Sequence, residues 1–150
     1  DWPALGTART VMTIHNMAYQ GLFWHWDMLL TGLDWKYFNW QQMEFHNQLN
    51  LLKTGIVFAD AISTVSPTYA REIQHEPGGC GLAGVLAARD GAVSGIVNGI
   101  DTAAWNPATD PHIPRHFSEH DVAAGKYAAR VALAAKLGHA APTARPLIAF

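Results

Sequence analysis

With 150 residues, 49% of them hydrophobic and 15% charged, the chain is long enough for one sizeable core and too apolar to be disordered. A formal net charge of −2 removes any electrostatic ground for nucleic acid or an anionic membrane as partner. Cys80 is the single cysteine, so no internal disulfide can form, and there is neither a signal peptide nor an apolar run that spans a bilayer.

Asp1–Ala8 reads as a loop or helix end. Thr10–Ile14 is a short run of apolar and β-branched residues, the pattern of a strand buried on both faces of a parallel sheet. The apolar character stops at Ile14, and His15, Asn16, Tyr19, Gln20 and Gly21 follow. In open α/β sheets ligands bind just beyond the carboxyl ends of the strands, so His15 and Asn16 stand where a rigid strand can present them to a ligand. The competing reading is that they only hydrogen-bond a loop. Leu22–Trp40 is dense in aromatics without a clean period, and predicts an ordered loop with short helical pieces. Its indoles are flat, apolar and edged by a donor, which suits stacking on sugar rings; they suit equally a satellite core under a long loop.

From Gln41 the residues Phe45, Leu49, Leu52, Ile56 and Ala59 recur at helical spacing, which predicts one helix with Lys53 and Asp60 outside its apolar stripe. Ala61–Val65 predicts a second buried strand, and Ser66-Pro67 an N-cap and first helical position, for a helix running to about His75 and ended by Pro77-Gly78-Gly79. The glycine-rich Pro77–Gly84 admits a phosphate cradle or a flexible connector; it lacks the Lys-Ser/Thr of a P-loop. Leu82–Arg89 suits a short helix and Ser94–Val97 a third strand, ending in Asn98-Gly99-Ile100-Asp101 with Asp101 pinning the turn. Asn106–Pro114, with three prolines, predicts a stiff extended crossing and a domain boundary. His112, His116 and His120 are spaced by four as metal ligands on a helix can be, but Pro114 interrupts them. Asp121–Leu137 is alanine-rich and helical with Gly138 as its stop, and Leu147–Phe150 would begin another strand. Strand, loop, helix, strand, helix is the alternation of a parallel α/β fold.

Four blocks carry a resemblance. T-I-H-N-M-A-Y-Q-G at 13–21, M-E-F-H-N-Q-L-N-L-L-K-T-G at 43–55, A-D-A-I-S-T-V-S-P-T-Y-A-R-E-I at 59–73 and G-I-V-N-G-I-D-T-A-A-W-N-P-A-T-D at 95–110 resemble, in order, segments of bacterial glycogen synthases and plant starch synthases. The resemblance implies a GT-B glycosyltransferase of two Rossmann-like domains with the active site in the cleft between them. In that scheme 1–100 is the latter part of the N-terminal, acceptor-side domain, 101–114 the interdomain hinge, and 115–150 the start of the nucleotide-sugar-binding domain. The implied reaction transfers glucose from ADP-glucose to the non-reducing end of an α-1,4-glucan with retention, without metal or other cofactor. His15 matches the family histidine that sits against the donor glucose, and Asn98 the hinge asparagine near the sugar; Asn16, Tyr19 and Gln20 would line the donor or acceptor side. On this reading His15 positions the glucose and polarises its hydroxyls rather than acting as a general base.

The chain opens Asp1-Trp2-Pro3 without an initiator methionine and closes inside an apparent strand, so it is expected to be an internal piece of a longer protein, inactive by itself. The resemblance implies a K-x-G-G-L loop and an H-D-W-H segment upstream, and a cationic pair and an acidic residue downstream. It also implies the cytoplasm as compartment in a bacterium, or the plastid in a plant. The alternatives are a non-catalytic glucan-binding segment built on the Trp24–Trp40 aromatics, and a GT-B transferase with another sugar-nucleotide donor.

Overall fold

The computed structural model describes residues 6–89, 93–140 and 147–148. The chain divides into two compact units, Asp1–Asn98 and Gly99–Phe150. The first is α/β, as the alternation of apolar runs predicts. Strands β1 (Val11–Ile14), β5 (Ala61–Thr64) and β6 (Val93–Gly95) form a parallel sheet in the order β1-β5-β6. The register places Ile14 beside Thr64, and Thr64 beside Gly95. A second, antiparallel sheet joins β2 (Leu22–Trp24), β3 (Glu44–Phe45) and β4 (Gln48–Asn50) in the order β2-β4-β3.

The parallel sheet is covered by α2 (Leu51–Phe58), α3 (Pro67–Glu72) and α4 (Ala83–Ala87). Ile14, Met17, Leu52, Ile56, Ile62, Ile73, Leu82 and Leu86 form the core between them, each burial of this size contributing about 2 kcal/mol. Ser66 caps α3, its hydroxyl accepting the Tyr69 amide at 2.9 Å, with Pro67 at the first helical position as expected. β5 is the middle strand, and Ile62, Ser63 and Thr64 are buried. β1 departs from the expectation of burial on both faces: Ile14 is buried, but Val11 is 66% exposed and Thr13 is exposed. Its partner among the described residues is β5 alone.

The helix expected from Gln41 begins ten residues later. Residues 44–50 are instead the β3–β4 hairpin, whose two-residue turn, His46-Asn47, has φ of 50° and 62°. Positive φ at both central positions matches the twist of flanking strands and forbids helix continuation. The helix can start only at Asn50, whose Oδ1 accepts the Lys53 amide at 2.9 Å. Phe45 and Leu49 therefore match the helical stripe by coincidence. Lys53, expected outside that stripe, is 4% exposed.

Residues 22–40 hold β2, two 3-10 turns at His25–Asp27 and Trp35–Tyr37, and α1 (Met28–Thr31). Tyr37 and Phe38 pack on a small second core of Met28, Met43 and Leu49, whereas Trp24, Trp26, Trp35 and Trp40 stay exposed. The satellite-core reading of this stretch thus holds for Tyr37 and Phe38, while Phe23 and these four indoles stay exposed.

In the second unit, Asn106–Pro114 is turned rather than extended. Asn106 O accepts the amides of Thr109 and Asp110, and its Oδ1 that of Ala108, while Asp110 Oδ1 accepts the His112 amide. Asx-turns at these two residues override the extended preference of the prolines. Asp101 Oδ1 accepts the amides of Ala103 and Ala104, the pinning role expected of it. Helix α5 (Val122–Lys136) ends where predicted, with Gly138 at φ 73°. Leu147 and Ile148 lie in no regular element; the rest of the expected terminal strand, and Asp1–Leu5 of the first loop, lie outside the described residues.

Asp60 lashes the start of β5 to that of β1. Its carboxylate accepts the Thr10 amide at 2.7 Å, the Thr10 hydroxyl at 3.0 Å and the Arg9 guanidinium at 2.9 Å. The Thr10 amide, with Arg9 second, holds its pKa down at about 2 from 3.8. A depressed carboxyl pKa means that the stabilisation is complete above 3.8 and lost as pH falls through about 2. Asp60→Asn is expected to flatten the stability profile between about pH 4 and pH 2, checked by denaturant unfolding across that range. At Gly95, an added Cβ would lie 2.2 Å from Ser66 O and 2.3 Å from Pro67 N, both backbone atoms. Gly95→Ala is expected to destabilise the protein by about 2 kcal/mol or more, checked by thermal unfolding.

Candidate active site

The carboxyl end of the parallel sheet is where the sequence places its candidate groups, and their carrier segments do emerge there. His15 follows the last residue of β1, and Asn98 lies three residues past the last residue of β6. Both are exposed. β1 and β6 flank β5, so the two carrier strands are two inter-strand spacings apart, about 10 Å.

The segment from His15 to Gly21 alternates between outward and inward residues. His15, Asn16, Ala18 and Tyr19 are exposed, Tyr19 to 82%, while Met17 and Gln20 are buried. Asn16 has a local duty, since its Oδ1 accepts the Ala18 amide at 2.9 Å and its carbonyl the Tyr19 amide at 3.4 Å. This Asx-turn leaves the Asn16 carboxamide nitrogen outside the turn. Gln20 faces into the fold: its Nε2 donates to Cys80 O at 2.8 Å, and its Oε1 accepts from Asn50 Nδ2 at 2.8 Å. The structure therefore brings His15, Asn16 and Tyr19 out on one short segment, leaves Asn98 three residues past β6, and turns Gln20 away into the interior.

Residues that sequence reasoning passed over anchor this segment. Thr64 Oγ1 donates to Ile14 O at 2.6 Å, and the Tyr69 hydroxyl accepts the Met17 amide at 3.0 Å. Asn50 is fully buried. An asparagine three residues ahead of a helical residue is the signal that could have found it.

Each Lys and Arg side chain of the first unit has a partner or a close neighbour. In the first unit Arg9 pairs with Asp60 at the amino end of β5. Arg89 donates to Val57 O and Ala59 O and closes the carboxyl end of α2. Lys53 Nζ donates to Trp40 O and to Glu44 O; burial pushes its pKa down, against the charge of Glu44. Lys36 lies over the Tyr37 ring, and Arg71 beside Thr68 Oγ1. The glycine-rich Pro77–Gly84 is an ordered turn, and the Glu76 carboxylate already accepts the amides of Gly81 and Ala83, groups a phosphate would need. Among the described residues no three His, Cys, Asp or Glu side chains are grouped as metal ligands are. His116 Nε2 lies 2.9 Å from Asp110 O, and His120 pairs at 3.7 Å with Glu119.

A concavity of about 490 Å³ between α2 and α4 is lined by Trp40, Lys53, Val57, Gly84 and Arg89 among others. Another of about 390 Å³ involves Tyr69, Glu72, His75 and Glu76. Neither of these two is lined by His15 or Asn98, whose end of the sheet is open. No helix among the described residues is long and apolar enough to cross a membrane.

Comparison with known proteins bears on the same segments. A family model described as the starch synthase catalytic domain matches residues 2–88. The chain is 52% identical over 136 residues to a glycogen synthase of Anaeromyxobacter dehalogenans strain 2CP-C, covering 91% of the chain and 28% of that protein. It is 56% identical over 113 residues to glycogen synthase 2 of Bradyrhizobium diazoefficiens, covering 75% and 23% respectively. Among solved structures it is similar to the catalytic domain of starch synthase IV from Arabidopsis thaliana bound to ADP and acarbose. The identity there is 37% and the TM-score 0.74, with 92% of this chain and 29% of that one covered. The chain thus spans less than a third of the length of these relatives.

Proposed function

The chain belongs to the starch synthase catalytic-domain family, and from that membership we propose that it is the part of an ADP-glucose-dependent glucosyltransferase that holds the transferred sugar. In the proposed reaction the bond between glucose C1 and the diphosphate oxygen breaks, the terminal O4 of an α-1,4-glucan bonds to C1 with retention, and the O4 proton leaves with the departing ADP. A bond-breaking step of this kind develops positive charge on the sugar, which must be held by directional hydrogen bonds to its hydroxyls. His15 and Asn98 supply directional hydrogen-bonding groups of that kind. Asn16 and Tyr19, exposed on the same segment as His15, line the donor or acceptor side. The domain assignment goes with it: 1–100 on the acceptor side, 101–114 as hinge, 115–150 opening the nucleotide-sugar domain. In a bacterium such an enzyme works in the cytoplasm, in a plant in the plastid.

The observation that carries the reading is that His15 directly follows β1 and Asn98 lies three residues past β6, the two strands that flank β5 among the described residues. The similar starch synthase IV catalytic domain, bound to ADP and acarbose, supports the donor and acceptor classes. A second reading, glucan binding without catalysis, is favoured by the exposed indoles of Trp24, Trp26, Trp35 and Trp40. It requires maltooligosaccharide binding that ignores ADP-glucose.

In the full-length protein, His15→Ala is expected to lower kcat by about 100-fold or more with the unfolding temperature retained. Transfer of labelled glucose from ADP-glucose to maltooligosaccharide measures it. Turnover near that of the parent protein would remove His15 from the reaction.

A further inference from the structure

Resting on the reading above, we infer that Gln20 and Tyr69 are positioning residues that hold His15 in place for glucosyl transfer, and that neither touches the sugar itself. The segment between Ile14 and Gly21 is short, and every inward group on it is tied to a different element. At its start, Ile14 O accepts from Thr64 Oγ1 on the middle strand. In its middle, the Met17 amide donates to the hydroxyl of Tyr69 on α3, with the Met17 side chain fully buried. At its end, the Gln20 side chain bridges Cys80 O in the glycine-rich turn and Asn50 Nδ2 at the cap of α2.

The backbone repeats the last tie, because Leu52 N donates to Gln20 O at 2.9 Å and Leu51 N to Gly21 O at 3.1 Å. Asn50 is itself immobilised: its amide donates to Met43 O, its carbonyl accepts from Thr54 Oγ1 and its Oδ1 from the Lys53 amide. Gln20 is 8% exposed and Asn50 fully buried, so the bond between them is made away from competing water, where a polar network is stiff when complete and disruptive when broken. The backbone that carries the outward residues, His15 first, is thus fixed on both sides by these ties.

A displacement of about 1 Å at a reacting centre can lower a rate by about 100-fold, so loss of one tie has a kinetic consequence beyond stability. The test uses the full-length protein with Gln20→Met, which keeps the length and removes both bonds, and Tyr69→Phe, which removes only the hydroxyl. Rates are expressed per folded molecule, at a temperature where each variant is folded by circular dichroism. For Gln20→Met the expected result is a fall in kcat of about 10-fold with KM for ADP-glucose within twofold of the parent. For Tyr69→Phe a fall of about threefold with the same KM is expected.

Per-folded-molecule kcat within twofold of the parent in both variants would overturn the inference and leave these residues as fold-holding only. Should Gln20→Met fail to fold, Tyr69→Phe decides alone, since one hydroxyl is lost and no cavity opens. His15→Ala, measured alongside, separates the two levels. A slow His15→Ala with unimpaired Gln20→Met and Tyr69→Phe sinks only the positioning role, whereas a fully active His15→Ala sinks the role of the imidazole itself.

Discussion

One carboxamide decides more of the first unit than any other side chain. Asn50 ends β4, starts α2 and receives Gln20 from the segment beyond β1, all with no surface exposed to solvent. Buried polar groups persist only when their bonds are made, so this position couples the adjoining β4 and α2 to a segment thirty residues earlier in the chain. Move the cap and α2 begins elsewhere. Gln20 Oε1 then loses its donor, and the segment presenting His15 loses its rear support.

That coupling explains which parts of the fold can be read from the amino acids and which cannot. β1, β5, the Ser66 cap and the Gly138 stop are local events: a β-branched run, a hydroxyl before proline, a glycine after an alanine-rich helix. Each is specified within a few residues, and pattern reasoning finds it. The β3–β4 hairpin is different. His46 and Asn47 adopt positive φ without the glycine that announces such a turn, and the flanking apolar residues imitate a helical period across it. Lys53 is harder still. Nothing in its neighbourhood marks a lysine for burial, because its partners are main-chain carbonyls of Trp40 and Glu44 that only the folded hairpin delivers.

The candidate site shows the same division. That His15 follows a strand is legible in the alternation of apolar runs, and so is a strand ahead of Asn98, although β6 ends at Gly95 rather than at Val97; the two strands do flank the same central strand. That Gln20 turns inward while its neighbour Tyr19 turns out is not legible. In a segment with no regular period, direction is set by distant partners, here Cys80 O and Asn50. The residues passed over in the sequence, Thr64, Tyr69 and Asn50, are likewise those whose roles are defined by what lies across the fold.

The charge distribution sharpens the chemistry. Arg9, Lys36, Lys53, Arg71 and Arg89 are the cations of the first unit. The two with carboxylate or helix-end partners, Arg9 and Arg89, converge on Asp60, Val57 and Ala59 at the amino end of β5, opposite the end that carries His15. Lys53 is held by carbonyls in the interior. The amide cluster of the glycine-rich turn is occupied by Glu76. A diphosphate demands concentrated positive charge or free amides, and a sugar demands neutral, directional donors and acceptors. Imidazole, carboxamide and phenol at the open end of this sheet meet the second demand and not the first. The role proposed for this surface is therefore toward sugar hydroxyls rather than toward a diphosphate.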